Sequence, residues 1–559
     1  MSPMTLDEAV AHMVGTDPRF ALTTAQIRGE ELPVFANAPN DLPALQALGR
    51  TIRAPGADFI VYEDERVTYD DWCEETARLA AGLVARGVRP GDRVGVAMRN
   101  YPEYLTLIMA IAAAGAVSVL INAWWTSEEL EYGLVDSGAK LIFADGPRAE
   151  RLRPVAGRLG LDIVATRDAA PAGGARYADL LTPEPGAFTP PKIDPDSDFA
   201  IVYTSGSTGH PKGVALTHRG AIQAVWSWFI TLAVGPLMVE TPPPSRPQAF
   251  LCATPLFHVT ATHPLFLLSI PCAAKLVMMR KWSGEAAVEV VEREAVTRFL
   301  GVPTMCADIA DAARRAGRTL PSLVSLGAGG AKRPGAQVAP QAEVFPHAAI
   351  GSGYGLTETN ALGVGIAGPD YLEKPEAAGR LYPAIQKLKI ADETGRALPP
   401  DTLGEICFKS ATLMRGYLNK PAETAEAIRD GWLHTGDLGM VDAEGYLTIV
   451  DRKKNIIIRG GENISCLEVE GALHRHPSVL EAAVFPIPDE RLGEAVGAAL
   501  SIVGQVTSAE LSAFLGDVLA PFKHPARYWF REGPLTRGAT DKIDRRAIRA
   551  ACLAEMVEA

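Results

Sequence analysis

Along the first 190 residues, the hydrophobic and polar positions switch repeatedly between two periods. Over residues 68–86 apolar residues recur three and four apart, which predicts an amphipathic helix. Residues 92–98 and 140–144 are short apolar runs bounded by turn residues and predict buried strands. Helix and strand patterns in alternation predict α/β layers on parallel sheets. A Pro-, Ala- and Gly-rich connection over 169–191 precedes a strand at 199–203, and the alternation resumes with candidate strands at 250–254, 298–302 and 323–327. After Pro375 the pattern turns to short strands with turn signals, at 388–391, 404–408 and 446–450, as in a small β-rich subdomain. From Asp451 onward a mixed α+β stretch has the length of a separate small domain. The expected division is 1–450 and 451–559.

Residues 105–125 are long and uncharged enough to suggest a membrane span. Gly115 splits them into an Ala-rich helical half and a β-branched half, so a core helix followed by a buried strand is the better parse. The apolar stretch 251–279 is interrupted by Pro255, Pro264 and Pro271. No transmembrane segment is expected. The first residues lack a basic and an apolar signal region, and the last four match no lipidation or peroxisomal signal.

The composition, 47% hydrophobic and 21% charged, is that of a globular chain. The net charge of −12, with no long Lys/Arg block, argues against a nucleic-acid partner. Seven scattered cysteines form no CxxC pair, which fits reduced thiols in the cytoplasm.

The strongest local signal follows the strand at 199–203. Thr204, Ser205, Gly206, Ser207, Thr208 and Gly209 lead to Lys212 and Gly213. Glycines let backbone N–H groups approach an anion, hydroxyls add donors, and Lys212 adds charge, which together suit a polyphosphate. The spacing is not that of the nucleotide triphosphatase P-loop.

This loop resembles the signature of the acyl-adenylate-forming superfamily, which includes acyl-CoA synthetases, peptide-synthetase adenylation domains and luciferases. Further segments resemble that family in its own order. In Gly353-Tyr354-Gly355-Leu356-Thr357-Glu358, the resemblance implies Tyr354 against adenine, Thr357 on phosphate and Glu358 on Mg2+. Gly327 to Ala331, with Gly329 and Gly330, resembles the loop lining adenine and acyl group, and Ser352 and Val259 complete the implied acyl pocket. Asp437 would hold the ribose hydroxyls, Arg452 ribose or phosphate, and Asp451 would be the hinge of a mobile small domain. Gly460, Gly461 and Glu462 resemble the coenzyme A tunnel loop, and Lys542 the adenylation lysine. His258 resembles a gate between ATP entry and thioester tunnel; the i, i+5 spacing to His263 argues against a metal pair. The chain departs from the family pattern at Cys466 and Thr536, where proline is usual, and at Asp541, where glycine is usual.

The resemblance implies an AMP-forming ligase. ATP with Mg2+ would activate a small-molecule carboxylic acid, expected to be a medium- or long-chain fatty acid, and coenzyme A would accept the acyl group. Alternatives are an aryl or other small acid, a stand-alone enzyme loading a carrier protein, a light-producing oxygenase, or a non-catalytic nucleotide-binding protein of the same fold. Trp226, Trp228 and Phe229 read equally as core or as walls that shorten the channel. Residues 232–247 read as a surface loop, and Lys332 and Arg333 as solvent-exposed. The sequence does not fix the oligomeric state, a homodimer included.

Overall fold

A computed structural model describes residues 3–167, 174–181, 188–204, 211–240, 246–459, 462–516, 518–538 and 542–558. Two large sheets are built as the alternating pattern predicts. The first runs in the order Gly416–Tyr417, Lys212–Thr217, Asp198–Thr204, Val117–Leu120, Arg93–Ala97, Leu141–Ala144, Asp162–Ala165. Its last five strands are parallel, and Asp198–Thr204 also forms an antiparallel hairpin with Lys212–Thr217. The second has nine strands with a parallel centre: Ala349–Gly355, Ser325–Ala328, Arg298–Gly301, Ala249–Cys252, Lys275–Met278 and Asp58–Tyr62. A β-rich unit of five antiparallel strands follows, and a mixed five-stranded sheet with its own core around Ile457, Val469, Leu473 and Leu500 forms the small C-terminal domain. The architecture is the expected α/β one with a large N-terminal and a small C-terminal part.

The suspected apolar stretch 105–125 resolves into core. Pro102–Ala113 is a helix buried along nearly its whole length. Gly115 turns the chain at φ +72°, and Val117–Leu120 is a buried strand inside the first sheet. Among the described residues, the segment His218–Met238 is long and apolar enough to cross a membrane. Its helix, His218–Val234, instead packs Ala221, Ile222, Trp226 and Ile230 into the main core. That helix corrects the expected loop at 232–247: helical structure continues through Val234 and a 3-10 turn through Met238, because the apolar face still has a core to cover.

One ion cluster around a buried carboxylate ties the edge of the nine-stranded sheet to a helix. Glu294, 3% exposed at the end of helix Gly284–Glu294, accepts from Arg66 at 2.8 Å, Lys275 at 2.9 Å and Arg293 at 3.2 Å. Burial alone would raise its carboxyl, but the three cations outweigh it and hold the pKa at about 2. A folded value below the unfolded one of 4.5 stabilises the protein above about pH 4.5, and this contribution is lost as pH falls towards 2. Glu294→Gln should therefore lower stability near neutrality and flatten its acid dependence. Between pH 6 and pH 3 the variant should lose about 2 kcal/mol less than the parent, read by urea unfolding.

Candidate active site

The C-terminal ends of the second sheet's strands, the β-rich unit and the small domain meet at one cleft. Tyr354 lies near the end of the strand Ala349–Gly355, and its hydroxyl donates to Asp437 Oδ2 at 2.6 Å. Asp437 sits on the strand Trp432–Val441, where the neighbouring strand brings Arg452 Nε to 3.1 Å from Oδ1. Burial raises the Asp437 carboxyl, and Arg452 opposes that shift. Thr435 supports the aspartate by accepting its backbone N–H at 3.1 Å.

A second carboxylate stands close by. Glu358, in the turn Thr357–Thr359, accepts the Tyr417 hydroxyl on Oε1 at 2.8 Å. Burial raises its pKa. Lys212 caps the face of the Tyr417 ring, 4.8 Å from its centroid, and lies opposite Thr204 in the hairpin register. Five of the sequence-predicted phosphate-loop residues, Ser205, Gly206, Ser207, Thr208 and Gly209, fall outside the described residues, as do Gly460, Gly461 and Asp541. Thr204 and Lys212, which flank that loop, are on the hairpin strands that open towards Tyr417.

Lys542 arrives from the small domain. A Cβ at Gly330 would stand 3.5 Å from its ammonium nitrogen, so the lysine lies along the Gly327–Ala331 segment. Although part of the side chain is accessible, burial of its ammonium, with the Arg452 charge adding to it, pushes its pKa down to about 8. His258 lies close enough for Lys542 to act on it, and burial together with that charge pushes its pKa down to about 3, leaving a neutral imidazole. Its Nε2 is buried and makes no hydrogen bond within the protein. His258 precedes the short helix Val259–Ala261, so Val259 and Thr260 follow it along the same wall. His263 belongs to the core instead, with Nε2 at 2.9 Å from Asn360 Oδ1.

The predicted hinge residue has a defined seat. Asp451 is fully buried; its Oδ2 accepts the Leu467 N–H at 3.0 Å and lies 3.0 Å from the Ser465 hydroxyl, at the start of helix Cys466–Leu473. Cys466 occupies the first helical position, where proline is tolerated because that N–H has no intrahelical partner. Glu462 is exposed in the small-domain hairpin, opposite Arg459 in register.

Two findings go beyond the sequence reading. Arg333 is not solvent-exposed: it is 2% exposed beneath helix Pro303–Ala316 and helix Pro369–Glu373, beside Cys306 and Tyr371. Lys332 alone faces outward, 3.3 Å from Glu376. Glu405 was missed. It binds the Gly436 N–H at 3.0 Å, the His434 ring at 3.1 Å and the Lys453 ammonium at 3.1 Å, and so ties the Asp437 strand to Lys453. Its partners lie 29 to 48 residues away, and no local pattern marks it.

Comparison with known proteins agrees with this geometry. Residues 50–418 match the family model described as AMP-binding enzyme, and residues 468–539 match AMP-binding enzyme C-terminal domain. A feruloyl-CoA synthase from Amycolatopsis sp is 35% identical, over 88% of this chain and 95% of that protein. A long-chain-fatty-acid–CoA ligase from Bacillus subtilis (strain 168) is 31% identical, over 92% and 97%. The solved o-succinylbenzoate coenzyme A synthetase from Bacillus subtilis, in complex with ATP and magnesium ion, superposes with a TM-score of 0.77 at 26% identity, covering 90% of this chain and 99% of that one.

The Gly330 geometry carries a test that needs no assay of function. Gly330 has φ +78° and Lys542 in contact, whereas Gly329 has only ordinary contacts at 3.8–3.9 Å. Gly330→Ala should cost about 1–2 kcal/mol through its left-handed backbone, and Gly329→Ala clearly less, read side by side by thermal unfolding.

Proposed function

The chain belongs to the AMP-binding enzyme family and is an AMP-forming acid–CoA ligase, and within that activity we propose that it activates a medium-length acid with an apolar body, using the residues gathered around Lys542. The observation that carries this reading is the meeting of Lys542 with the Gly327–Ala331 wall while Tyr354, Asp437 and Arg452 form one bonded set beside it.

In the first step a carboxylate oxygen of the acid attacks the α-phosphorus of ATP, and the bond to pyrophosphate breaks. The Lys542 ammonium is placed to draw the two anions together and offset the charge on the α-phosphate. Asp437 accepts hydrogen bonds from the ribose hydroxyls, Arg452 lies beside it, and Tyr354 offers its ring to the base. Thr204, Lys212 and Thr357 border the phosphates. His258, held neutral, marks the boundary between the reacting carboxylate and the apolar wall. Glu358 suits a divalent cation: it is a buried carboxylate with one oxygen taken by Tyr417, and an oxygen donor of this kind is what Mg2+ selects. Mg2+ bound there supplies neutralisation of the phosphate charge. In the second step the thiol of coenzyme A attacks the acyl carbon and AMP leaves. The small domain turns about Asp451 between the steps, and Glu462 with the adjoining glycines would then line the thiol's path.

The acid is read from the wall. Leu300, Thr260 and Tyr382 stand where glycines leave room, and Trp228 packs on Tyr382 at 6.4 Å, which limits length. The likeness to a feruloyl-CoA synthase supports an aryl acid as a second reading.

The test is an assay with Mg·ATP, coenzyme A and carboxylates from acetate to palmitate with benzoate and cinnamate. Acyl-CoA and AMP in equal amounts, peaking at medium-length or aryl acids, is the expected result; acyl-AMP without thioester would point to a carrier-protein acceptor. Lys542→Ala should lower adenylation by roughly 10²–10³ and spare thioester formation from supplied acyl-AMP. Because the ammonium titrates at about 8, the cation is present below that pH and lost above it. The kcat/KM of adenylation should fall as pH rises through about 8, and Lys542→Arg should move that limb to higher pH.

A further inference from the structure

The glycine wall leads away from Lys542 to a cation that, among the described residues, no carboxylate pairs with. At Gly330 a Cβ would stand 3.5 Å from Lys542 Nζ and 3.9 Å from Thr260 Oγ1. At Gly329 it would meet Leu300 Cδ1 at 3.8 Å and Thr260 Cγ2 at 3.9 Å. At Gly327 it would press Leu300 Cδ1 at 3.0 Å, and at Gly353 it would lie 3.8 Å from the Tyr382 hydroxyl. These contacts form one path: Lys542, Thr260, Leu300, Tyr382. Leu300 and Arg298 are two apart in the strand Arg298–Gly301, so they share a face, about 7 Å apart along it. Phe299 points to the opposite core with Met305 and Cys306, whereas Leu300, Tyr354 and Tyr382 pack on the main core.

Arg298 therefore ends the path. Its charge acts on Cys272 and Tyr382, and burial lowers its pKa. Burial holds the Cys272 thiol and the Tyr382 phenol each at about 12, so both are neutral. Nε of Arg298 is buried without a hydrogen bond, and among the described residues no carboxylate pairs with this guanidinium. A buried charge is costly unless something pairs with it, and a guanidinium only donates. Among the described residues, Arg99 and Arg333 likewise hold a buried guanidinium nitrogen with neither a hydrogen bond nor a carboxylate partner; Arg99 packs over the Trp124 ring at 5.3 Å, and Arg333 lies on the far face with Cys306 and Tyr371.

We propose that Arg298, with the Tyr382 hydroxyl beside it, holds a carboxylate at the far end of the acid, so that the preferred substrates carry a second carboxylate on an apolar body. One carboxylate faces Lys542 and is activated; the other pairs with the guanidinium fork and stays unreacted. This rests on the ligase reading above.

The test compares three series of matched length, from six to twelve carbons: dicarboxylic acids, methyl-terminated acids and ω-oxo acids ending in a neutral carbonyl. Adenylation is followed by pyrophosphate release, and binding by the shift in Tm without ATP. At the best length the parent should favour the dicarboxylate over the methyl-terminated acid by at least tenfold in kcat/KM. Arg298→Leu should cut dicarboxylate turnover by roughly 10², abolish the dicarboxylate-dependent Tm shift, and improve the methyl-terminated acid. Arg298→Gln, which keeps two donors without charge, serves if the leucine variant does not fold, and should favour the ω-oxo acid.

A parent that prefers methyl-terminated acids at every length overturns the proposal, and so does one that prefers the neutral ω-oxo acid. A variant that loses all three series equally also overturns it, since that marks a structural role. No pyrophosphate with any acid would sink the ligase reading instead; the dicarboxylate Tm shift, present in the parent and absent in Arg298→Leu, still decides Arg298.

Discussion

The carboxylate of Asp451 is the joint on which the site depends. Adjacent residues of a strand face opposite ways, and Asp451 and Arg452 use this to serve two structures at once. Asp451 turns inward to the start of the helix Cys466–Leu473 and accepts the Leu467 N–H. Arg452 turns the other way, to Asp437, which in turn takes the Tyr354 hydroxyl. One step along the chain thus links the seat of the small domain to the residues set for the nucleotide. Lys542, carried by that domain, comes against Gly330 in the same arrangement. An aspartate here holds by hydrogen bonds rather than by packed apolar surface. Such bonds can be exchanged for others when a domain turns, at far lower cost than repacking a core.

Glu405 shows how the strand beside Asp451 is braced. Burial alone would raise its carboxyl, but hydrogen bonds from His434 and Lys453 bring its pKa below the usual range. The Glu405, Cys407 and His434 side chains are close enough to suggest a metal centre. Each is already engaged, however: His434 lies 3.1 Å from Glu405 and 3.4 Å from the Cys407 sulfur, and Lys453 supplies the positive charge that the carboxylate needs. The cluster is a brace, and it places Asp437 through the Gly436 N–H.

What the sequence reveals follows from what its local patterns encode. Period and turn residues give the sheets, and Gly115 correctly divides a suspicious apolar run, because a glycine at φ +72° between a helix and a strand is a local matter. Tyr354, Asp437 and Arg452, which the structure joins, are singled out by short local runs for the same reason. Arg333 is misread because the residue beside it, Lys332, does face solvent, while the two helices covering Arg333 come from 30 residues before it and 36 after. Arg298 is invisible for a related reason. A lone arginine opening an apolar strand looks like a boundary, and only the order of the nine strands places it inside, facing the main core.

That placement separates two tasks. The bonded set around Asp437 and the glycine loops must present the same geometry to any acid, because every acid is activated through the same carboxylate and the same nucleotide. In the arrangement proposed above, the side chains at Leu300, Tyr382 and Arg298 meet only the part of the acid that does not react. Leu300 stands between the two groups, and a change at Arg298 is separated from Lys542 by it and by Thr260. Binding energy gained at the far end is realised equally in ground and transition states unless it positions the near carboxylate. A guanidinium fork at a fixed depth does position it, because an acid of the wrong length cannot reach both cations at once. Length and charge are then selected together, by the spacing of two cations along one wall.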